Sequence, residues 1–153
     1  MGDPQAYFDS YGSHAVRPGW MYSRRNKKWI YCRSQLEWAW CQIFETSKAV
    51  HRYYVPSVEI RYEWEGRLER YRPDFRVRYK DGTTVLVEVK PEAMWKVPQN
   101  TAKWNAAREW CEYRGVETTF RVLGYRRLWE LGGTTGRHTD HRLEALRKRK
   151  DKA

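Results

Sequence analysis

Residues 72–91, RPDFRVRYKDGTTVLVEVKP, restrict the fold of this chain more than any other segment. They predict two β-strands joined by a tight turn around Gly82. Because successive side chains of a strand point to opposite faces, a register shift of one residue exchanges the two faces. A two-residue loop would place Phe75 opposite Glu88 and would mix apolar with acidic side chains on each face.

A three-residue loop at residues 80–82 gives a consistent pattern instead. In this register Phe75 lies opposite Val87, and Gly82 takes a left-handed conformation as part of a G1 bulge. One face of the hairpin is then apolar throughout and carries Phe75, Val77, Val85 and Val87. The hydrophobic pattern therefore predicts a three-residue loop with a positive φ at Gly82.

The same register gathers three charged side chains on the other face. Asp74 lies opposite Glu88, and Lys90 follows two residues later on the same face. Directly opposed carboxylates repel each other, so they need a cation between them or one of them must bind a proton. Carboxylate oxygens are ligands that Mg²⁺ and Mn²⁺ prefer, which indicates metal-assisted phosphodiester hydrolysis. The alternative is a solvated Asp-Glu-Lys set on an exposed sheet face.

The charge of the whole chain indicates a polyanionic partner. Thirty Lys and Arg against nineteen Asp and Glu give a net charge of +11, which attracts nucleic acid. No apolar stretch approaches the about 20 residues of a membrane-spanning helix. The N-terminus lacks the basic-then-apolar pattern of a secretory signal, and the three cysteines are expected to be reduced. These features predict a cytoplasmic protein without a membrane partner.

Three regions are predicted along the chain. Residues 1–33 form a basic, aromatic arm without regular structure, and residues 132–153 form a basic tail that closes in a short helix. Residues 34–131 form an α/β core in the order helix, three strands, helix, strand, with a central mixed sheet. The expected core strands lie at residues 58–64, within the hairpin described above, and at residues 118–125.

Two helices of the core have sequence signals at their ends. The first is predicted to begin at Ser34, because Ser34 and Glu37 match the capping-box pattern. Its apolar stripe comprises Leu36, Ala39, Trp40, Ile43 and Phe44. The second is predicted to begin with Asn100 as its cap and to end at Gly115.

Basic side chains in three places are candidates for contact with DNA phosphates. The N-terminal arm contributes Arg24, Arg25, Lys27 and Lys28, and the tail contributes Arg147, Lys148, Arg149 and Lys150. Lys103, expected to face outward from the second helix, is a further candidate. A solvated basic surface is the alternative in each place.

The motif residues resemble a nuclease signature. Arg72-Pro73-Asp74-Phe75 followed by Glu88-Val89-Lys90 resembles the PD-(D/E)xK motif of the restriction-endonuclease-like superfamily, whose core has a similar order of helices and strands. Residues 34–122 more closely resemble the N-terminal catalytic domain of TnsA-type transposon endonucleases and its phage relatives. The resemblance implies a restriction-endonuclease-like α/β fold and Mg²⁺-dependent DNA cleavage, with Mn²⁺ as a substitute.

The resemblance also implies roles for particular residues. Glu37, Asp74, Glu88 and Lys90 occupy the catalytic positions of the family. Asp74 and Glu88 would hold the metal together with the backbone carbonyl of Val89, and Glu37 would reach it directly or through water. Lys90 would orient the attacking water or stabilise charge on the phosphorus. Glu37 has a structural alternative as the capping residue of its helix.

The expected function is that of a stand-alone DNA endonuclease from a phage or mobile element, of head-completion, junction-resolving or transposon-end type. A single active site would need a homodimer or a recruiting partner protein to cut both strands, and association with a virion is left open. The alternative is a catalytically inactive DNA-binding or packaging protein of the same fold. A basic RNA-binding protein would explain the charge but not the cluster of Asp74, Glu88 and Lys90.

Overall fold

The computed structural model describes residues 19–55 and 57–132 of the chain. The described elements are β1 Gly19–Ser23, β2 Lys28–Cys32, α1 Gln35–Thr46, β3 Val50–Tyr54, β4 Ile60–Trp64, β5 Arg67–Tyr71, β6 Phe75–Tyr79, β7 Thr84–Val89, a 3₁₀ turn Glu92–Met94, α2 Pro98–Arg114, β8 Thr118–Leu123 and α3 Tyr125–Glu130. This mixed α/β content confirms the predicted fold class. The predicted C-terminal helix lies outside the described residues.

The chain divides into two compact units. The first comprises residues 1–46 and 124–153, and the second comprises residues 47–123. In its described part the first unit contains the β1–β2 hairpin, α1 and α3. The second unit contains β3 to β8 and α2. None of the helices among the described residues is long and apolar enough to cross a membrane.

Helix α1 of the first unit begins as predicted. The hydroxyl of Ser34 accepts a hydrogen bond from the Glu37 N–H at 3.0 Å, which satisfies one of the backbone donors that a helix leaves unpaired at its start. The indole Nε1 of Trp40 donates to the Gly124 carbonyl at 3.0 Å. The buried stripe comprises Leu36, Ala39, Trp40, Cys41 and Phe44.

The prediction of an irregular arm at residues 1–33 is wrong for its described part. Residues 19–32 form the antiparallel β1–β2 hairpin, in which Trp20 pairs with Tyr31 and Tyr22 with Trp29. The strands alternate these aromatic residues with buried Met21, Ser23, Ile30 and Cys32. A four-residue turn without glycine joins the strands, with Lys27 in the left-handed region at φ 53°, so the usual turn signal of a hairpin is absent.

The second unit contains a four-stranded mixed sheet in the order β3-β6-β7-β8. Its pairs are antiparallel except for β7 and β8, which are parallel and are connected through α2. A separate two-stranded sheet is formed by β4 and β5. The prediction of three strands between the helices is therefore wrong, because β3 and β5 were not foreseen. Both strands have five residues, and neither has a clear alternation of apolar and polar side chains: β3 reads VHRYY, and β5 reads RLERY with three charged residues.

The register predicted for the β6–β7 hairpin is confirmed. Phe75 pairs with Val87, and Gly82 has a φ of 93°. The loop is closed by a hydrogen bond from the Tyr79 N–H to the Thr83 carbonyl at 2.8 Å and by one from the Gly82 N–H to the Tyr79 carbonyl at 3.1 Å. Phe75 and Val87 are buried on one face. The opposite face is also covered, since Leu86 belongs to a buried cluster that includes Trp104 and Ala107 of α2.

Replacement of Gly82 by alanine tests the loop geometry. A Cβ at this position would meet no atom within 4 Å, so the change acts through the backbone conformation alone. A non-glycine residue in the left-handed region costs about 1–2 kcal/mol, and we expect the free energy of unfolding to fall by about that amount. Gly82→Asn is the control, because asparagine tolerates this region better. Equal chemical unfolding midpoints for Gly82→Ala and the wild type would contradict the prediction.

The start of α2 differs from the prediction. The helix begins at Pro98 with Val97 as its N-cap, because proline suits the first helical position, where its missing N–H leaves nothing unpaired. Asn100, predicted as the cap, is instead buried inside the first turn and donates from Nδ2 to the Met94 carbonyl at 2.9 Å. The helix ends before Gly115, at φ 109°, as predicted.

Candidate functional site

Asp74 is held at the end of the β6–β7 hairpin. It directly precedes Phe75, the first residue of β6, so the register that pairs Phe75 with Val87 places Asp74 opposite Glu88. The Oδ2 atom of Asp74 accepts a hydrogen bond from the Val89 N–H at 2.7 Å. This bond ties the carboxylate of one strand to the backbone of the other, so its position is fixed by the hairpin itself.

Glu88 is a buried carboxylate on β7. Only 6% of its surface is exposed, although it lies in a strand whose neighbours are apolar. The hydroxyl of Tyr71, the last residue of β5, donates a hydrogen bond to its Oε2 atom. Burial, together with the adjacent charges of Glu88 and Asp74, raises the pKa of Tyr71 above its usual range. The phenol therefore remains a hydrogen-bond donor at neutral pH.

Glu88 takes part in no ion pair with a described residue of the chain. Ion pairs in the described part of the chain, such as those of Arg72 with Glu59 and of Arg127 with Glu130, lie elsewhere. A buried ion costs several kcal/mol unless an opposite charge compensates it. The fold therefore keeps a carboxylate in an environment that favours a bound cation.

Two lysines of the second unit adjoin other residues of this site: Lys90 follows Glu88 and Val89 in the chain, and Lys103 lies over the Tyr71 ring. Lys90 follows Glu88 by two residues, and its backbone is anchored by a bond from its N–H to the Leu123 carbonyl at 3.0 Å. The Trp95 Nε1 donates to the Lys90 carbonyl at 2.8 Å. Lys103 was expected to face outward, but it is half-buried, and its Nζ lies 5.9 Å from the centroid of the Tyr71 ring. That distance allows a cation–π interaction.

The donor set fits a hard divalent cation held by few protein ligands. The described residues contain no group of three or more His, Cys, Asp or Glu placed to hold a metal ion. Mg²⁺ usually takes one or two carboxylates and fills its other positions with water and phosphate, so Asp74 and Glu88 are sufficient in number. The role of the Val89 carbonyl as a ligand stays a prediction. Its N–H is the group that contacts Asp74.

Glu37 lies in the first turn of α1, in the first unit. Its Oε2 accepts a hydrogen bond from the Arg33 N–H at 2.8 Å, and its own N–H donates to Ser34. This arrangement closely resembles a capping box, with the return bond one residue earlier than usual. Glu37 therefore caps the start of its helix, which was the structural alternative, and its catalytic role stays a prediction.

Replacement of Glu37 by glutamine separates the two roles. Glutamine can accept the same hydrogen bond from Arg33 and suits a capping box, so we expect the melting temperature to change little. If Glu37 also takes part in cleavage, its lost charge should lower the cleavage rate by about 10–100-fold. Ser34→Ala is the control that weakens the cap alone. Wild-type cleavage by Glu37→Gln would contradict a role of the Glu37 charge in cleavage.

The basic candidates lie in different places. Arg24, Lys27 and Lys28 are exposed in or next to the turn of the β1–β2 hairpin, whereas Arg25 is half-buried. The tail candidates Arg147, Lys148, Arg149 and Lys150 lie outside the described residues. The DNA contacts of all these residues stay predictions.

Tyr71 is the member of the site that the sequence did not indicate. It sits three residues before Asp74, and its strand was not predicted. The sequence signal that could have indicated Tyr71 is its position: it is an aromatic residue that ends the charged segment RLERY and directly precedes Arg72-Pro73-Asp74. Its contact with Glu88 depends on the separate β4–β5 sheet, in which Tyr71 pairs with Ile60. No local pattern encodes that placement.

Comparison with known families agrees with this geometry. The family model described as "TnsA-like endonuclease N terminal" matches residues 30–122, which is more than half of the chain. The match spans the β6–β7 hairpin with both carboxylates and Lys90, as well as α1 with Glu37. A search of curated proteins found no match. The match over residues 30–122 shows that the chain belongs to the family of TnsA-like endonuclease N-terminal domains.

Proposed function

We propose that this protein is a Mg²⁺-dependent endonuclease that hydrolyses phosphodiester bonds of DNA. The observation that carries the proposal is the buried Glu88 carboxylate, which lies opposite Asp74 and has no basic partner among the described residues. A bound divalent cation would supply the missing charge compensation. Membership in an endonuclease family gives the reaction class, and the net charge of +11 suits a polyanionic substrate.

Each residue of the site has a task in this reaction. Asp74 and Glu88 would hold the metal, and the Tyr71 hydroxyl would fix the orientation of the Glu88 carboxylate. When bound, the metal would polarise the scissile phosphate and lower the pKa of a water molecule. Lys90 would orient that water or stabilise the negative charge that develops on the phosphate. Lys103, above the Tyr71 ring, would add positive charge where the substrate approaches.

The biological setting that we propose is DNA processing by a phage or a mobile element in a bacterial cytoplasm. This proposal rests on the resemblance to the catalytic domain of TnsA-type transposon endonucleases and its phage relatives. Cleavage of both strands would require a second copy of the chain or a partner protein. The ratio of nicked to linear plasmid, measured as a function of protein concentration, tests that requirement.

The direct test is incubation of the purified protein with supercoiled plasmid, linear duplex, single-stranded DNA and a four-way junction. Each substrate is combined with Mg²⁺, with Mn²⁺ or with EDTA. We expect cleavage of at least one substrate with either metal and none with EDTA. Absence of cleavage under every condition would contradict the proposal and would favour an inactive DNA-binding protein of the same fold. Cleavage that persists in EDTA would refute the metal requirement.

A further inference from the structure

The β1–β2 hairpin of the first unit presents an outward face made of aromatic side chains. The register places Trp20 opposite Tyr31 and Tyr22 opposite Trp29. The alternate positions are buried, except for Lys28 next to the turn, which is exposed. On a sheet face exposed to water, polar side chains would be expected at the outward positions. All four outward positions in the centre of this hairpin are aromatic instead.

The aromatic rings of this face are accessible. The Trp20 and Tyr31 ring centroids lie 5.3 Å apart at 63°, and those of Tyr22 and Trp29 lie 5.2 Å apart at 61°. These edge-to-face pairs stabilise the hairpin. Tyr31 nevertheless remains 48% exposed and Tyr22 44% exposed. Contiguous exposed apolar patches on a protein surface mark interaction sites, and we interpret this aromatic face in that way.

The turn of the hairpin is basic and is held in place by one acidic residue. The Ser23 hydroxyl donates to Glu45 Oε2 at 2.7 Å, and the Arg25 N–H donates to Glu45 Oε1 at 2.9 Å. Both carboxylate oxygens of Glu45 are thus engaged in fixing the turn. Arg24 and Lys27 remain exposed, and the sequence contains no acidic residue between positions 10 and 36. The partner of this surface should therefore be anionic.

Aromatic rings beside exposed cations match the chemistry of nucleic acid. Bases stack on aromatic side chains, and phosphates pair with Arg and Lys. Outward residues two apart on a strand lie about 6.8 Å from each other. Stacked bases in one strand of duplex DNA are only about 3.4 Å apart. The two ring pairs are spaced about twice as far apart, so they suit neighbouring bases that are separated and not stacked on one another. Duplex bases are also covered on both sides by their neighbours.

We propose that the outward face of the β1–β2 hairpin binds unpaired nucleotides of a DNA strand, with one base on each aromatic pair and the phosphates at the basic turn. The inference deepens the proposed function and rests on it, because it names the substrate class: DNA that carries a single-stranded segment, as at a flap, a branch or a frayed end. The surface acts in substrate selection and not in the cleavage step.

The test measures DNA binding by the full-length protein in EDTA, where metal-dependent cleavage does not occur. Fluorescence anisotropy is recorded with an oligothymidylate of about 20 nucleotides, which exceeds the usual single-strand site size, and with its duplex. The variant Tyr22→Thr/Tyr31→Thr removes two rings and keeps residues that favour strands. We expect it to bind the single strand about tenfold or more weakly than the wild type, with unchanged duplex affinity.

Matched variants control for folding and for charge. Tyr22→Phe/Tyr31→Phe keeps the rings and should retain wild-type affinity, and Tyr113→Ala removes a 94% exposed tyrosine from α2 and should have no effect. Arg24→Ala/Lys27→Ala should weaken binding of both DNA forms and reduce the salt dependence, since phosphate contacts do not distinguish them. Circular dichroism verifies that each variant is folded.

Two results would overturn the inference: an unchanged single-strand affinity of the threonine variant, or an equal loss for single strand and duplex with a folded protein. The inference and the proposed function fail separately. A wild type that cuts DNA while the threonine variant keeps its single-strand affinity refutes the inference alone. A wild type that binds single strands through the two tyrosines and cuts no substrate refutes the nuclease function alone.

Discussion

Replacement of Asp74 by alanine is expected to lower the rate of DNA cleavage by about a thousandfold or more. The change removes one of the two carboxylates that would hold the metal. A bound metal stabilises the transition state by several kcal/mol. Each loss of about 1.36 kcal/mol lowers the rate tenfold. The measurement is single-turnover cleavage of the best substrate in Mg²⁺. A cleavage rate of Asp74→Ala equal to that of the wild type would contradict the assignment of Asp74 to the metal site.

Two variants sharpen this prediction. Asp81→Ala removes an exposed carboxylate from the same hairpin, where its Oδ1 accepts hydrogen bonds from Thr83, and should leave cleavage nearly unchanged. Glu88→Gln should lose cleavage as Asp74→Ala does. It should also unfold at the same or a higher temperature in EDTA, because it removes a buried charge for which the described residues supply no ion pair. A large loss of stability in Glu88→Gln would show that the negative charge is compensated within the protein.

Replacement of Tyr71 by phenylalanine is expected to weaken metal binding by about 10–100-fold, the usual effect of losing a hydrogen bond to a metal ligand. The ring remains in the buried cluster, and only the hydroxyl that donates to Glu88 is lost. The cleavage rate should therefore recover in part at high Mg²⁺ concentration. Calorimetric titration with Mn²⁺ in the absence of DNA gives a second readout that does not depend on cleavage.

Tyr62→Phe is the matched control for this change. Tyr62 belongs to the same buried cluster, and its ring centroid lies 6.5 Å from that of Tyr71. Its hydroxyl accepts a hydrogen bond from Gln99 Nε2 at 2.8 Å rather than contacting Glu88. Loss of this hydroxyl should affect stability but not the affinity for Mn²⁺. Equal metal affinities of Tyr71→Phe and Tyr62→Phe would show that the Tyr71 hydroxyl has no influence on the site.

The parts of the fold that the sequence predicted are those with a periodic apolar pattern. The β6–β7 register follows from Phe75 and Val87, because the two-residue loop, a shift of one residue, places charged side chains on the apolar face. The start of α1 at Ser34 follows from a local cap. Strand β5 has charged residues at three of its five positions without a regular alternation, and its pairing with β4 does not follow from any local sequence pattern.

One part of the candidate site could be predicted from the sequence, and another part depends on tertiary packing. Asp74 and Glu88 are adjacent because a hairpin joins them, so their proximity could be deduced from the register alone. The environment of Lys103 depends on how α2 packs against β4 and β5, and that packing brings its Nζ over the Tyr71 ring. An outward lysine was expected because helical periodicity defines the apolar stripe but not what covers the rest of the helix.

The parallel pairing of β7 with β8 has a consequence for how the site assembles. The Val89 amide is engaged by Asp74, 15 residues away, whereas the next amide, that of Lys90, is engaged by the Leu123 carbonyl across the α2 crossover. A hairpin forms in about 1–10 μs, but parallel pairing must wait for the long connection to close. In hydrogen-exchange experiments during refolding, the Val89 amide should therefore gain protection before the Lys90 amide.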